Sequence, residues 1–223
     1  MTSGAEGRNQ RTGRGHGLDT AVVADTIRAR IVGAQLAPGE TLLQATLCSN
    51  LKVSRHVLRG ALLSLHHAGL IEQKSERRTR VRVVEDSEVR DILEVMAVLE
   101  QVCAGRAAQR IAADGARRLR TRGKALVEAA GAQPASFVAA ECALGLELAR
   151  IACHQVAMDL LQVLHARIGA SAAALPEGIE AQTVLASAWM NVIEAVCRGD
   201  EPGAVEAMER VQGARSPGRM GDR

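Results

Sequence analysis

Seven apolar residues in LCSNLKVSRHVLRGALLSLHHAGLI, residues 47–71, constrain this chain more than any other feature: Leu47, Leu51, Val53, Leu58, Leu62, Leu65 and Leu70. Apolar residues recurring every three or four positions make one face of a helix. Here two such runs are separated only by Lys52, Val53 and Ser54, so the two helices must meet across a tight turn and bury their faces together. Ser54 is a good N-cap for the second helix, and Gly69 supplies its stop. The spacing predicts a helix-turn-helix.

The flanking sequence completes a small domain. Val22, Val23, Ile27, Ile31 and Val32 recur at helical spacing from Thr20, and this first helix stops at Gly33. Pro38-Gly39 marks a turn, followed by a short extended piece at Thr41–Leu43 and a helix over Gln44–Leu51. The helix opened by Ser54 runs to about Ala68. LIEQ, a charged tip KSERR and TRVRVV then alternate like a two-stranded hairpin. Helices followed by such a hairpin make a winged helix-turn-helix over residues 18–84.

From Glu85 onward every long segment reads as helix. Val89, Ile92, Leu93, Met96, Leu99 and Val102/Cys103 share a face of a helix over Ser87–Ala113. Five more follow at Ala116–Gly131, Ser136–Cys153, Gln155–Ala170, Ala181–Gly199 and Pro202–Gln212. The expected fold is therefore mainly α, with an N-terminal winged helix-turn-helix carrying a small β-hairpin wing and a C-terminal all-α bundle over 85–212. Residues 1–17 and 213–223, rich in Gly, Arg and Ser, are expected to be a disordered arm and tail.

With one Phe, one Trp and no Tyr, the cores must be built from Ala, Leu, Val and Ile. No apolar run approaches the ~20 residues of a membrane span, and the N-terminus lacks the apolar stretch of a secretory signal. A cytoplasmic protein is the expectation. The five Cys are odd in number and dispersed, which is no disulfide framework. Residues 1–84 hold thirteen Lys and Arg against six Asp and Glu, whereas residues 85–223 hold fifteen against nineteen. A basic front half joined to an acidic back half suggests a polyanion-binding module attached to something else.

Within the basic half, Ser54, Arg55, His56 and Arg59 occupy the first turns of the second helix of the helix-turn-helix. In this motif that turn enters the DNA major groove. Arg55 and Arg59, four residues apart, share a face, and a guanidinium bonds guanine bidentately or clamps phosphate. Lys74, Arg77 and Arg78 at the hairpin tip are candidates for phosphate or minor-groove contacts.

These residues resemble the GntR family of bacterial regulators. Ile31 to Leu42 follow the pattern I-x-x-G-x-L-x-P-G-E-x-L with one residue adjusted, and Leu47 to Leu70 follow L-x-x-x-L-x-V-S-R-x-x-[LV]-R-x-A-L-x-x-L-x-x-x-G-L. The helical half resembles the FadR-type effector domain, with DSEVRDILEVMAVLEQVCAGRAA as its opening helix and VIEAVCRGDEPGAVEAM in its closing pair. The resemblance implies a homodimeric repressor that binds a palindromic double-stranded operator and releases it when a small effector binds the helical domain. Two positions depart from the family's DNA-binding pattern: Arg78 stands where relatives place a Gly, and Ala45 replaces a frequent polar contact.

Many such effector domains hold a divalent metal through an Asp, a His four residues later and two further His. Those positions fall here at Glu141, Gly145, about Trp189 and about Val211, so one oxygen ligand survives where a metal needs several. Met96 replaces an Arg usual in the opening helix. Met96, Glu100, Glu141, Gly145 and Trp189 are the expected pocket residues, with no metal, no cofactor and an apolar or collapsed lining. Cys142, Cys153, His154 and Cys197 are a weak alternative metal set. The effector is then a small, metal-free, apolar molecule; alternatively the helical domain is only a dimerisation platform. No nucleophile elbow, Gly-rich phosphate loop or clustered acid–base pair suggests an enzyme.

Overall fold

A computed structural model describes residues 19–33, 35–75, 78–132, 134–169 and 178–215. Helix α1 (Thr20–Val32) ends at Gly33, α2 spans Gln44–Leu51 and α3 spans Arg55–His67. The turn between α2 and α3 is closed by Lys52 in the left-handed region (φ 53°) and by Ser54, whose Oγ accepts from the Val57 N–H at 3.3 Å. The Ser54 cap thus satisfies one of the orphan donors of the helix start.

The wing consists of β1 (Ile71–Ser75) and β2 (Arg78–Val81), antiparallel, with Ile71 opposite Val81 and Glu72 opposite Arg80. Both strands reach further into the tip than the alternation predicts, and the register shifts between Gln73 and Ser75. The extended piece expected at Thr41–Leu43 runs along β2: Thr41 bridges Arg80, and the Leu42 N–H donates to the Thr79 carbonyl at 2.8 Å. Ile27, Ile31, Leu47, Leu58, Leu62, Leu65, Leu70, Ile71 and Val81 pack into one core. Burying such side chains is the main term holding three short helices and a hairpin together.

The second half comprises α4 (Asp86–Arg110), α5 (Ala113–Ala129), α6 (Pro134–Ile151), α7 (Gln155–Gly169), α8 (Gly178–Cys197) and α9 (Glu201–Arg215). Its core gathers Phe137, Leu119, Leu126, Leu144, Leu148 and Trp189 with many alanines, as the scarcity of aromatics requires. Among the described residues no helix is long and apolar enough to cross a membrane.

Most helix ends of this half fall two or three residues from the sequence expectation, and two of the differences are held by contacts elsewhere in the bundle. The helix expected to reach Ala113 ends at Arg110, because Ile111 turns extended and α5 starts at Ala113. Nothing in this Ala-rich stretch signals a stop; the break is held by the Arg110 guanidinium, which donates to the Ala152 carbonyl at 2.6 Å. Residues 213–215, expected in a disordered tail, form the last turn of α9. That turn is pinned from both sides: Gln212 Nε2 donates to the Ala97 carbonyl at 3.0 Å, and Arg215 enters the bundle interior.

The two halves meet along α7. Ala166 is buried within the core of the winged domain. A Cβ placed on Gly169 would come within 2.8 Å of Val32 Cγ1, so α1 and α7 approach closely at a residue without a side chain.

Candidate functional site

The first site is the exposed start of α3. Ser54, Arg55, His56 and Arg59 are all exposed, whereas Leu58, Ala61, Leu62 and Leu65 face the core. The amphipathic period of α3 thus leaves its N-terminal turn outward with two guanidinium groups one turn apart. Lys52, exposed in the preceding turn, adds a positive charge that the sequence reading passed over. Its left-handed conformation is a tertiary feature with no sequence signal in a lysine.

The wing is less uniformly basic than its sequence. Arg78 is exposed, but Arg80 bonds Glu72 across the hairpin at 2.7 Å. Arg82 bonds Glu88 of α4 at 2.6 Å, tying the wing to the helical half. Lys74 belongs to β1, and Arg77 lies outside the described residues.

The second site is buried among α4, α6, α7, α8 and α9. Of the residues expected there, Glu100, Glu141, Gly145 and Trp189 come together, while Met96 lies in the same core cluster one turn before Glu100 on α4. The Arg215 guanidinium, absent from the sequence expectation, sits at their centre. Its Nη1 donates to Glu100 Oε2 at 2.6 Å, Nη2 to Glu100 Oε1 at 3.2 Å and Nε to Glu141 Oε1 at 2.7 Å. Trp189 Nε1 also donates to Glu141 Oε1, at 3.2 Å, and the Arg215 Cζ lies 5.7 Å from the Trp189 ring centroid. A guanidinium at that distance from an indole face gains a cation–π contribution.

His165 closes the site. Its Nε2 stands 3.5 Å from Glu100 Oε1, and neither ring nitrogen of this buried side chain has a hydrogen-bond partner of good geometry. Gly145 is small for a reason: a Cβ there would meet Glu100 Oε1 at 2.7 Å and His165 Cε1 at 3.0 Å. Burial alone pushes the Glu100 carboxyl up. The Arg215 charge and its hydrogen bonds, with the adjacent His165 imidazole adding, more than reverse this and hold it at about 2. Burial pushes the nearby Cys142 thiol strongly up, with Glu141 adding to it, so Cys142 stays a neutral thiol.

The expected apolar lining is therefore not what the fold builds: two carboxylates, an imidazole and a guanidinium meet there. They do not fit a divalent metal. Glu141 is engaged by Trp189 and Arg215, and a permanent organic cation already lies between the two carboxylates. Among the described residues no group of three His, Cys, Asp or Glu is arranged to hold a metal ion. Of the alternative set, Cys153 is exposed, and His154 Nδ1 accepts from the Ala157 N–H at 3.3 Å, capping α7.

Sequence spacing did carry a signal for both missed residues. Arg215 continues the buried series Ala204, Met208, Val211 on α9, and His165 continues Ala157, Leu161 on α7.

Three consecutive residues of α7 connect the two sites. His165 faces Glu100, Ala166 packs in the winged core, and Arg167 Nε donates to the Ala68 carbonyl at the end of α3 at 3.1 Å. The Arg167 guanidinium passes over Gly69, where a Cβ would lie 2.7 Å from it, and Gly69 has φ 71°. Gly69→Ala is therefore expected to destabilise the protein by about 1 kcal/mol from backbone strain alone. It also displaces Arg167, so proteolysis between the halves accelerates; thermal unfolding and limited trypsin digestion check both.

The comparisons agree with this architecture. Residues 20–81 match the family described as bacterial regulatory proteins, gntR family, and residues 91–213 match the FCD domain. The chain is a GntR-family regulator with an FCD domain. E. coli McbR/YncC is similar in fold, with a TM-score of 0.75 at 16% identity, covering 86% of this chain and 92% of that one. A GntR transcriptional regulator from Rhodococcus sp. RHA1 gives 0.73 at 18% identity, covering 89% and 98%. No curated protein sequence matches. The FadR-like arrangement, a DNA-binding winged helix-turn-helix followed by a helical FCD domain, holds along the whole described chain. As a GntR-family regulator it binds DNA to control transcription, and the family points to a regulator rather than an enzyme.

Proposed function

We propose that this GntR-family regulator is a cytoplasmic repressor that binds a palindromic operator as a homodimer, and that occupancy of the buried site in the FCD domain controls release. The observation that carries the reading is the run His165-Ala166-Arg167. One turn of α7 touches the buried polar site, the winged core and the end of α3. A small rotation of α7 on ligand binding therefore moves the recognition helix directly, which is the differential contact an allosteric switch needs.

Ser54, Arg55, His56 and Arg59 are assigned to the major groove, with Lys74, Arg77 and Arg78 on flanking phosphates or the minor groove. Selecting bound sites from random DNA with the full chain tests the reading. Enrichment of an inverted repeat is the expected result; enrichment of no sequence sinks it.

The homodimer is the assembly a palindrome requires. Val95, Val98 and Val102 form an exposed apolar stripe along α4, from 46% to 59% exposed. A row of this kind on a helix of the FCD domain suits contact with a second copy. Val98→Glu is expected to shift the protein toward monomer in analytical ultracentrifugation and to weaken operator binding, with the fold retained by circular dichroism. An unchanged dimer would remove α4 from the interface.

One observation favours a second reading, in which the FCD domain is a dimerisation platform without a ligand: the Arg215 side chain fills the buried site. If a metabolite panel leaves both the Trp189 emission and operator binding unchanged, the platform reading stands.

A further inference from the structure

In the buried site two carboxylates share one guanidinium. Glu100 is fully buried and Glu141 nearly so. Both bond Arg215, and the indole face of Trp189 completes the cation's surroundings. Isolated buried carboxylates are costly, so the site is built to hold a positive charge. His165, buried with neither ring nitrogen in a hydrogen bond of good geometry, is a further polar group aimed into it.

Arg215 stands at the end of α9, so a ligand that takes over its bonds to Glu100 and Glu141 can displace it without unwinding the body of the helix. On the other side of His165 lies a groove of about 550 Å3 between α1, α6 and α7, bordered by Cys142, Ala143, Leu146, Val163 and His165, with Gln162 and the Asp25–Arg28 ion pair also in its lining. That volume is within the range of small-molecule sites. Its mainly apolar border suits a short hydrocarbon chain, with the carboxylates at one end.

Resting on the reading of the FCD domain as an effector domain, we infer that the buried site is a guanidinium-type cation site. Arg215 occupies it as a tethered stand-in, and the effector is a small guanidino or amino compound with a short apolar body that displaces Arg215 from Glu100 and Glu141. The ligand keeps the bidentate pairing with Glu100 and the Trp189 face while its body lies past His165 in the groove.

The test uses n-butylguanidinium, with neutral n-butylurea as control, on the full chain. In Arg215→Ala, millimolar n-butylguanidinium is expected to raise Tm by several degrees and to shift the emission of Trp189, the only tryptophan in the chain. n-Butylurea does neither. If Arg215→Ala does not fold, Arg215→Lys replaces it, since an ammonium keeps the charge but not the bidentate pairing. The emission shift is then expected in that variant.

In the wild-type protein, n-butylguanidinium is expected to change operator affinity several-fold. A response confined to the variants overturns displacement of Arg215 by ligand. Equal responses to the cation and the urea, no response to either, or rescue by zinc in place of the cation overturn the cation site itself. Operator binding by ligand-free wild-type protein is measured alongside. Its absence sinks the regulator reading, whereas intact operator binding without a cation effect sinks only this inference.

Discussion

Arg215→Met is expected to lower stability by about 3–5 kcal/mol near neutral pH, the usual cost of removing one partner of a buried ion pair. Methionine fills most of the arginine's volume, so the loss reports charge more than cavity. Without the guanidinium, Glu100 and Glu141 face each other across a dry site, and one of them must take up a proton.

The pH dependence separates this mechanism from a simple packing defect. In the wild-type protein Glu100 is held at about 2, below its ordinary 4.5. A carboxyl lowered on folding stabilises above its unfolded pKa, and the contribution fades as pH falls from about 4.5 toward about 2. A shift of that size corresponds to about 3 kcal/mol. In Arg215→Met the carboxylates are destabilising when charged, so this variant gains stability as pH falls from neutral toward about 4.5, and wild type loses its own contribution below that. The gap between the two should therefore narrow steadily as pH falls below neutral in urea unfolding curves. A gap that stays constant with pH would mean that Arg215 acts through packing alone.

The Arg55→Ala, Arg59→Ala double variant is the second large effect. Each guanidinium is expected to contribute about 1–3 kcal/mol to the specific complex if it reads a base. With the two contributions added, the double variant should lose between about thirtyfold and about twenty-thousandfold in operator affinity. Neither residue belongs to the buried core, so Tm should change little. Salt titration assigns the roles: a base contact lowers specific affinity and relaxes the sequence preference, whereas a phosphate contact weakens all sequences alike and flattens the salt slope. Fluorescence anisotropy on the selected operator and on scrambled DNA measures both. Wild-type affinity in the double variant would remove Arg55 and Arg59 from the DNA interface.

The wing shows why charge counts in sequence overstate an interface. Arg78, Arg80 and Arg82 read as one basic cluster, yet Arg80 and Arg82 bond Glu72 and Glu88. Such pairs turn side chains away from a ligand without changing composition, and their partners lie across a hairpin or in another domain. The basic surface of the winged domain is consequently concentrated at the start of α3 and at Lys52, with Arg78 on the wing.

Local physics fixed a great deal from the amino acids alone. The apolar period set the bounds of α2 and α3, Ser54 fixed the start of the recognition helix, and Gly69 fixed its end. Each of these rests on residues within a few positions of one another, where propensity, capping and backbone freedom act without help from the rest of the chain. Glu100, Glu141, Gly145 and Trp189 were also legible as a group, through the family resemblance. Tertiary structure alone decided what occupies the space between them. Arg215 lies 115 residues from Glu100 and 74 from Glu141 in the chain. Its burial is tolerable only because those carboxylates bond its guanidinium, and no local pattern records that partnership. The same holds for Arg167 over Gly69 and for His165 beside Glu100: helical spacing puts each on a face of α7, but only packing between the two halves for the first, and within the helical bundle for the second, determines what that face meets.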